Sequence, residues 1–180
     1  VTQRIPSEPY AVALNKMCVV KPGNDLTVVT YGDGVYCALQ AQEMLGEKLD
    51  LEIIDAVSIN PIDNETLFES VNKTRRLLTI DTTNNSFNVG SEIISRVALN
   101  KDLKLRDHPV KISCPDVPCP TSSALAEIYY PNRLSVCNEI LKLFGFSEIE
   151  DKLSFDELNL PPTLELPSHS ERVKIRMLTS

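Results

Sequence analysis

No run of about 18 consecutive apolar residues, the length a membrane-spanning helix needs, occurs anywhere in the chain. Nor is there a basic excess: 25 acidic residues against 18 basic ones leave a net charge of −7. That balance argues against a nucleic-acid binder, which would carry a clustered basic face. It is compatible with a basic protein partner. Cysteine pairs at metal-like CxxC spacing are also missing from the five cysteines, Cys18, Cys37, Cys114, Cys119 and Cys137. Cys18, Cys37 and Cys137 lie in apolar stretches and read as small core residues. Cys114 and Cys119 form a CxxxxC pair dominated by prolines and without a nearby histidine, which disfavours a metal or redox role. A reducing cytoplasm is the natural reading of this cysteine usage.

Histidine is scarce too. His108 precedes a strand in a charged stretch and His169 lies late in the chain, neither beside a serine or cysteine in a nucleophile setting. No metal-ligand cluster is visible in the sequence. The turn YGDG at 31–34 has two glycines after a strand, but position 37 is Cys37 where a GxGxxG fingerprint needs its third glycine, and no Walker lysine follows. We read it as a tight turn. No catalytic, cofactor-binding or metal-binding residue is assigned from these patterns.

What is present is an alternation. The 180 residues suit about one domain, long enough for a core without disulfides. Apolar runs at 26–30, 51–56, 77–81 and 110–113 read as buried strands, and 17–20 as an antiparallel edge strand. Between them lie helical stripes: Ala38, Ala41, Leu45 and Leu49; then Leu67, Phe68 and Val71 behind Asp63 as N-cap; then Ile93, Ile94, Val97 and Ala98. Gly46 is placed to end the first of these helices, and a polar loop is expected at 82–88. A last helix over 132–144 carries Leu134, Cys137, Leu141 and Phe144. Strands alternating with helices imply an α/β domain with a mainly parallel sheet covered on both faces. The chain starts at Val1 with a linker-like stretch, which leads us to expect a piece of a larger polypeptide. We expect a linker at 1–16, the domain at 17–145, and an extended, partly mobile tail at 146–180, where Pro161, Pro162 and Pro167 follow many acids.

The densest local feature is CPDVPCP at 114–120, just after the run 110–113. Pro115, Pro118 and Pro120 fix their own φ and push the residues before them out of the helical region. Asp116 is thereby presented on a stiff loop. Asp33, Asp63, Asp81 and Asp116 all fall near strand ends, where open α/β sheets bind ligands. Capping accounts for Asp63, turn geometry for Asp33, and helix-dipole complementarity for Glu92. Asp116 is the acid without an evident structural role, and hence the candidate functional residue.

Several segments, taken in order, carry a resemblance. They are YAVALNK at 10–16, DLTVVTYG at 25–32, LEIID at 51–55, NPID at 60–63, SVNKTRRLL at 70–78, VGSEI at 89–93 and PDVPCP at 115–120. Over roughly 8–144 the chain resembles the carboxy-terminal domain of the beta chain of thiamine-diphosphate-dependent 2-oxo acid dehydrogenases, the pyruvate and branched-chain enzymes. The resemblance implies a transketolase C-terminal fold: three α/β/α layers around a five-stranded, mostly parallel mixed sheet. It implies that thiamine diphosphate and Mg are bound in the full-length enzyme, outside this fragment, so that the fragment alone is inactive. It implies assembly as the domain's role, with three partners: a second copy of the domain, an alpha-type domain or chain, and the basic peripheral subunit-binding domain of the acyltransferase core. No nucleic acid and no membrane belong among them. Asp116 matches the acid of the family's Asp-Val-Pro motif and takes the partner-binding role. A cytoplasmic location, or the mitochondrial matrix in a eukaryote, goes with it.

Departures concern the surface. Thr82-Thr83-Asn84-Asn85 stands where the family often has acids, the glycine-rich helix entry is reduced to 88–90, and Asn15 replaces a glycine. The segment 121–131 and the tail resemble the form in which alpha and beta chains are fused. Two other readings stay open: a transketolase or deoxyxylulose-phosphate synthase C-terminal domain, and a stand-alone interaction module without an enzyme. The sugar-phosphate enzymes would call for basic contacts at the sheet's carboxyl edge, and the loops there contain no arginine or histidine.

Overall fold

A computed structural model describes residues 13–149, so the expectations for 1–12 and 150–180 lie outside the described residues. Five strands and five α-helices follow one another: β1 (Cys18–Lys21), β2 (Leu26–Thr30), α1 (Asp33–Leu45), β3 (Leu51–Asp55), α2 (Asn64–Thr74), β4 (Leu77–Asn84), α3 (Val89–Leu99), β5 (Val110–Cys114), α4 (Ser123–Tyr129) and α5 (Arg133–Leu143). The sheet order is β1-β3-β2-β4-β5. β2, β3, β4 and β5 run parallel, and β1 joins β3 antiparallel at one edge. Helices α1 and α5 pack on one face, with Ala38, Leu45, Cys137 and Ile140 against Val28, Ile53 and Ile80. The other face carries α2 and α3, whose Leu67, Val71, Ile93 and Val97 meet Val29, Ile54 and Leu77. The domain is therefore the three-layer α/β/α fold with a five-stranded mixed sheet.

The centre of the sheet is fully buried on both faces, which explains why β2 reads as a continuous apolar run with two threonines. Those threonines are satisfied internally. Thr27 Oγ1 shares hydrogen bonds with Ser70 Oγ and Thr74 Oγ1, both at 2.7 Å, and Thr30 Oγ1 donates to the Ile80 carbonyl at 2.9 Å. Asp63 does more than cap α2: besides Thr66 N–H it accepts Thr66 Oγ1 at 2.8 Å and Met17 N–H at 3.1 Å. It thus fastens the entry of β1 to α2, reinforced by Lys16, which pairs with Glu65 at 2.6 Å. Burial pushes the Asp63 carboxyl up, but these donors prevail and hold it below the usual carboxylate range.

Two elements differ from expectation. β4 runs on to Asn84, into residues read as loop, and its register with β5 shifts between Asp81 and Asn84. These last positions turn towards solvent, so their polar side chains hid a strand. Helix α4 lies in a segment for which no helix was expected. Its seven residues bury only Tyr129, too little to write an apolar stripe. α1 ends at Leu45 with Gly46 at φ 57°, so Leu49 lies beyond the helix while still joining its core. At the far end, Asn138 exchanges hydrogen bonds with the Ile149 backbone at 2.8 and 3.1 Å.

Gly34 marks the closest approach of α1 to the sheet: a Cβ there would sit 2.0 Å from Thr30 Oγ1. Gly34→Ala must therefore displace the hydroxyl that bonds Ile80. We expect it to cost about 1–3 kcal/mol, as overpacked cores do, read from the midpoint of urea unfolding at unchanged slope.

Candidate functional site

In an open parallel sheet, ligands bind outside the carboxyl ends of strands whose following helices leave to opposite faces. Here that point lies between β2, followed by α1, and β4, followed by α3. The chain fills it with its own carboxylate. Asp81, 1% exposed, ends the buried part of β4. Its Oδ1 accepts Tyr31 Oη at 2.7 Å, Thr83 Oγ1 at 2.7 Å and Thr83 N–H at 2.9 Å. Its Oδ2 accepts Gly90 N–H at 3.2 Å. Gly90 lies in the first turn of α3, so Asp81 takes the kind of position at a helix N-terminus that suits a phosphate or another anion. Burial raises the Asp81 carboxyl, but the donors outweigh it and hold the group below its ordinary range. Burial and the same bond push Tyr31 up to about 12.

The residues present do not fit thiamine diphosphate or Mg2+. The phosphate position is taken by an anion, the turn at 31–34 is the tight turn expected, and among the described residues no group of three or more His, Cys, Asp or Glu could hold a metal ion. Asp33 stands exposed in the first turn of α1, Glu92 pairs with Arg96 at 2.8 Å, and His108 is exposed. His169 lies outside the described residues. No disulfide joins the five cysteines: Cys137 and Cys114 are buried, Cys18 and Cys37 half-buried, Cys119 exposed.

Asp116 is exposed, as the proline loop suggested, but it has a structural role after all. Its two oxygens accept Ser86 N–H at 3.0 Å and Ser86 Oγ at 2.7 Å, stitching the proline loop to the turn before α3. The Ser86 hydroxyl, then its amide, hold the Asp116 carboxyl below the ordinary range. The loop is pinned twice more, by Tyr129 Oη donating to the Val117 carbonyl at 3.1 Å and by Tyr130 Oη against Cys119 Sγ at 3.2 Å. Beside Ser86 stands Phe87, fully exposed with φ 58°, and Val117 is also exposed. The site is thus a rigid acidic point flanked by two apolar side chains. Sequence reading missed Ser86 and Phe87, because nothing local links the 82–88 segment to a loop some thirty residues on.

Two measurements test this geometry. Asp81→Asn should destabilise the fold by about 1.5–3 kcal/mol, the range for hydrogen bonds to a charged group. Because the folded carboxyl is depressed, its contribution is complete above the unfolded value of about 3.9 and is lost as pH falls through the lower folded value. The gap between wild type and variant should be flat above about pH 5 and close in acid. In the second, Ser86→Ala should let the Asp116 carboxyl rise towards its ordinary value, followed by carboxyl NMR titration.

The profile of the family described as "Transketolase, C-terminal domain" matches residues 15–136. The subunit beta of acetoin:2,6-dichlorophenolindophenol oxidoreductase from Bacillus subtilis is 34% identical over 143 residues, covering 78% of this chain and 42% of that protein. The pyruvate dehydrogenase E1 component subunit beta of Mesostigma viride is 34% identical over 125 residues, covering 69% of this chain and 38% of its own length. This chain thus spans about two fifths of these curated relatives. A solved split-gene transketolase, an inactive beta4 tetramer, superposes with a TM-score of 0.63 at 28% identity over 73% of this chain and 43% of that one. The chain belongs to the transketolase C-terminal domain family.

Proposed function

We propose that this domain is the assembly module of a thiamine-diphosphate-dependent 2-oxo acid dehydrogenase. In the complete enzyme it contributes to dimer formation and docks the basic peripheral subunit-binding domain of the acyltransferase core. The reaction served is oxidative decarboxylation of pyruvate or a branched-chain 2-oxo acid, with acyl transfer to lipoyl groups. Thiamine diphosphate and Mg2+ belong to other domains of that enzyme, and an alpha-type domain or chain completes it. The compartment we propose is the cytoplasm, or the mitochondrial matrix in a eukaryote, as the mitochondrial pyruvate dehydrogenase beta subunit of Saccharomyces cerevisiae suggests.

The observation that carries this reading is the pairing of a closed crevice with an open acidic point. Asp81 fills the ligand position, whereas Asp116 is held ionised and exposed by Ser86. Asp116 is the acid of the Asp-Val-Pro motif. A charge so placed sets encounter rate and register with a basic partner more than raw affinity. The similarity to a pyruvate dehydrogenase beta subunit supports the choice of enzyme, and the acetoin-linked relative widens the substrates worth assaying.

The likeness to a split-gene transketolase favours a second reading, the C-terminal domain of a sugar-phosphate enzyme. The loops at the carboxyl edge, 31–34, 56–63, 82–88 and 115–122, contain no arginine or histidine to meet a phosphate. The dehydrogenase reading is therefore preferred.

The test uses the complete enzyme. Asp116→Asn keeps an oxygen for Ser86 N–H while removing the charge, and should weaken core docking by up to about fivefold, as for a lost exposed ion pair. Asp116→Lys should weaken it further. Both should leave cofactor-dependent decarboxylation of pyruvate or a branched 2-oxo acid intact. Unchanged docking in the lysine variant would remove Asp116 from the argument, and loss of decarboxylation in the asparagine variant would place it in the active site instead.

A further inference from the structure

Phe87 is the most exposed large apolar side chain among the described residues, its ring wholly in solvent. Its backbone stands at φ 58°, in the left-handed region where a Cβ is crowded and glycine is favoured. Among the described residues Asn15 and Arg75 share that conformation. Asparagine tolerates it, since its short polar side chain can bond locally. Arg75 closes α2, with its N–H on the Val71 carbonyl at 2.8 Å and its Nε on the Lys104 carbonyl at 3.0 Å. The strain at Arg75 is thus offset within the fold. Phe87 has no such compensation, because its ring buries no surface against the fold.

The neighbours of Phe87 are fastened on both sides. Lys111 Nζ donates to the Asn85 carbonyl at 2.5 Å, and Ser113 Oγ to the Asn85 side-chain oxygen at 2.8 Å. Ser86 is held by the Asp116 carboxylate. Asn88 is buried, accepts Ser91 N–H and Ser91 Oγ at 2.9 Å, and donates to the Asn84 carbonyl at 2.9 Å. The segment 82–88 therefore keeps its shape through polar groups, and its single apolar side chain is put into water.

A ring strained at its backbone and left in solvent lowers the stability of the folded chain on both counts. Such a conflict between local preference and fold belongs to surfaces that act on something else. Scattered exposed apolar residues are ordinary, and Leu99 and Ile128, on regular helices, need no further account. Phe87 differs in being held out by rigid neighbours at an unfavourable φ.

Its place on the surface specifies the chemistry of a partner. Phe87 follows Ser86 directly, so their Cα atoms are about 3.8 Å apart, and Ser86 is bonded to Asp116. Val117, also exposed, follows Asp116 on the same loop. A standard interface covers about 20–30 residues a side, so a polypeptide seated on Asp116 also covers Phe87. Lys111 is near enough for its charge to act on Asp116, but its ammonium is engaged by the Asn85 carbonyl and Ser91 Oγ. The charge presented outward beside the ring is the carboxylate.

We infer that Phe87 is the apolar anchor of the Asp116 docking surface, seated in an apolar pocket of a basic polypeptide whose rim places a lysine or arginine against Asp116. This rests on the docking role proposed above for Asp116. The carboxylate governs encounter and register, while the ring, by leaving water, holds the complex once it has formed. Aromatic anchors of this kind carry a large share of interface energy. Because 85–88 is fixed before binding, little further ordering is needed as the ring enters its pocket.

The test uses the complete enzyme and the peripheral subunit-binding domain of its acyltransferase core, with association and dissociation rates followed at several salt concentrations. Phe87→Ala should weaken docking by about tenfold or more, chiefly through faster dissociation, with the salt dependence of association unchanged. Asp116→Asn should instead slow association and flatten its salt dependence. Phe87→Gly should weaken docking at least as much as Phe87→Ala. It should also keep or raise the protection of β4 amides against hydrogen exchange, because glycine takes φ 58° without strain. A fall in that protection would show that the ring supports the fold, and would overturn the inference. Docking unchanged in Phe87→Ala but lost in Asp116→Lys would overturn it and leave the role of Asp116 standing. Docking unchanged in both variants would remove both. Loss of subunit assembly or of decarboxylation in Phe87→Ala would place the ring in a contact within the enzyme, and overturn it as well.

Discussion

Four hydrogen bonds converge on the Asp81 carboxylate, and the carboxyl edge of the sheet is built around them. One comes from the turn after β2, two from Thr83 in the outer end of β4 and one from the first turn of α3. A buried carboxylate is tolerated only when its lone pairs are filled. Here the need is met by donors from three elements, so meeting it also fixes their mutual positions. Thr83 folds over Asp81, and the chain then continues as the outward end of β4 towards Asn88, which caps α3 through Ser91 N–H at 2.9 Å. Ser86 and Phe87 sit between these two fixed points. The direction in which Ser86 meets Asp116 is thus inherited from Asp81.

That inheritance gives the proline loop its stiffness. Three prolines restrict φ locally, yet they do not say where the loop stands relative to the sheet. Ser86, Tyr129 and Tyr130 do. Of these, Tyr129 and Tyr130 come with α4, whose short helix contributes little core and functions as a bracket for the loop. An exposed acid held in one place loses less conformational freedom on meeting a basic partner than one on a mobile loop, which favours its use in orientation and encounter.

Much of this architecture was legible in the sequence. Every core strand announced itself as an apolar run, because parallel strands are buried on both faces. Gly46 and Asp63 marked helix ends through requirements that few residues meet, positive φ for one and a capping oxygen for the other. What escaped were features whose causes are distant in sequence. The end of β4 is polar because it emerges from the core, and Asp81 reads as any acid at a strand end until Tyr31 and Gly90 are brought to it. Asp116 was picked out for lacking a local role. Its role is indeed not local: Ser86 lies thirty positions away.

The distribution of satisfied and unsatisfied polar groups bears directly on what the domain can do. Inside, the hydroxyls of Thr27, Ser70 and Thr74 satisfy one another, Glu52 receives Lys73 and Gly23 N–H, and the switch point is closed by Asp81. A site of chemistry needs polar groups left available for a substrate, and among the described residues few buried ones remain so, the Thr79 hydroxyl being one. The available groups lie outside: an exposed carboxylate at Asp116 and the Phe87 ring. Both are suited to other polypeptide, one by charge and one by apolar contact. In the assembly role proposed above, the domain influences a reaction through what these outward groups hold together.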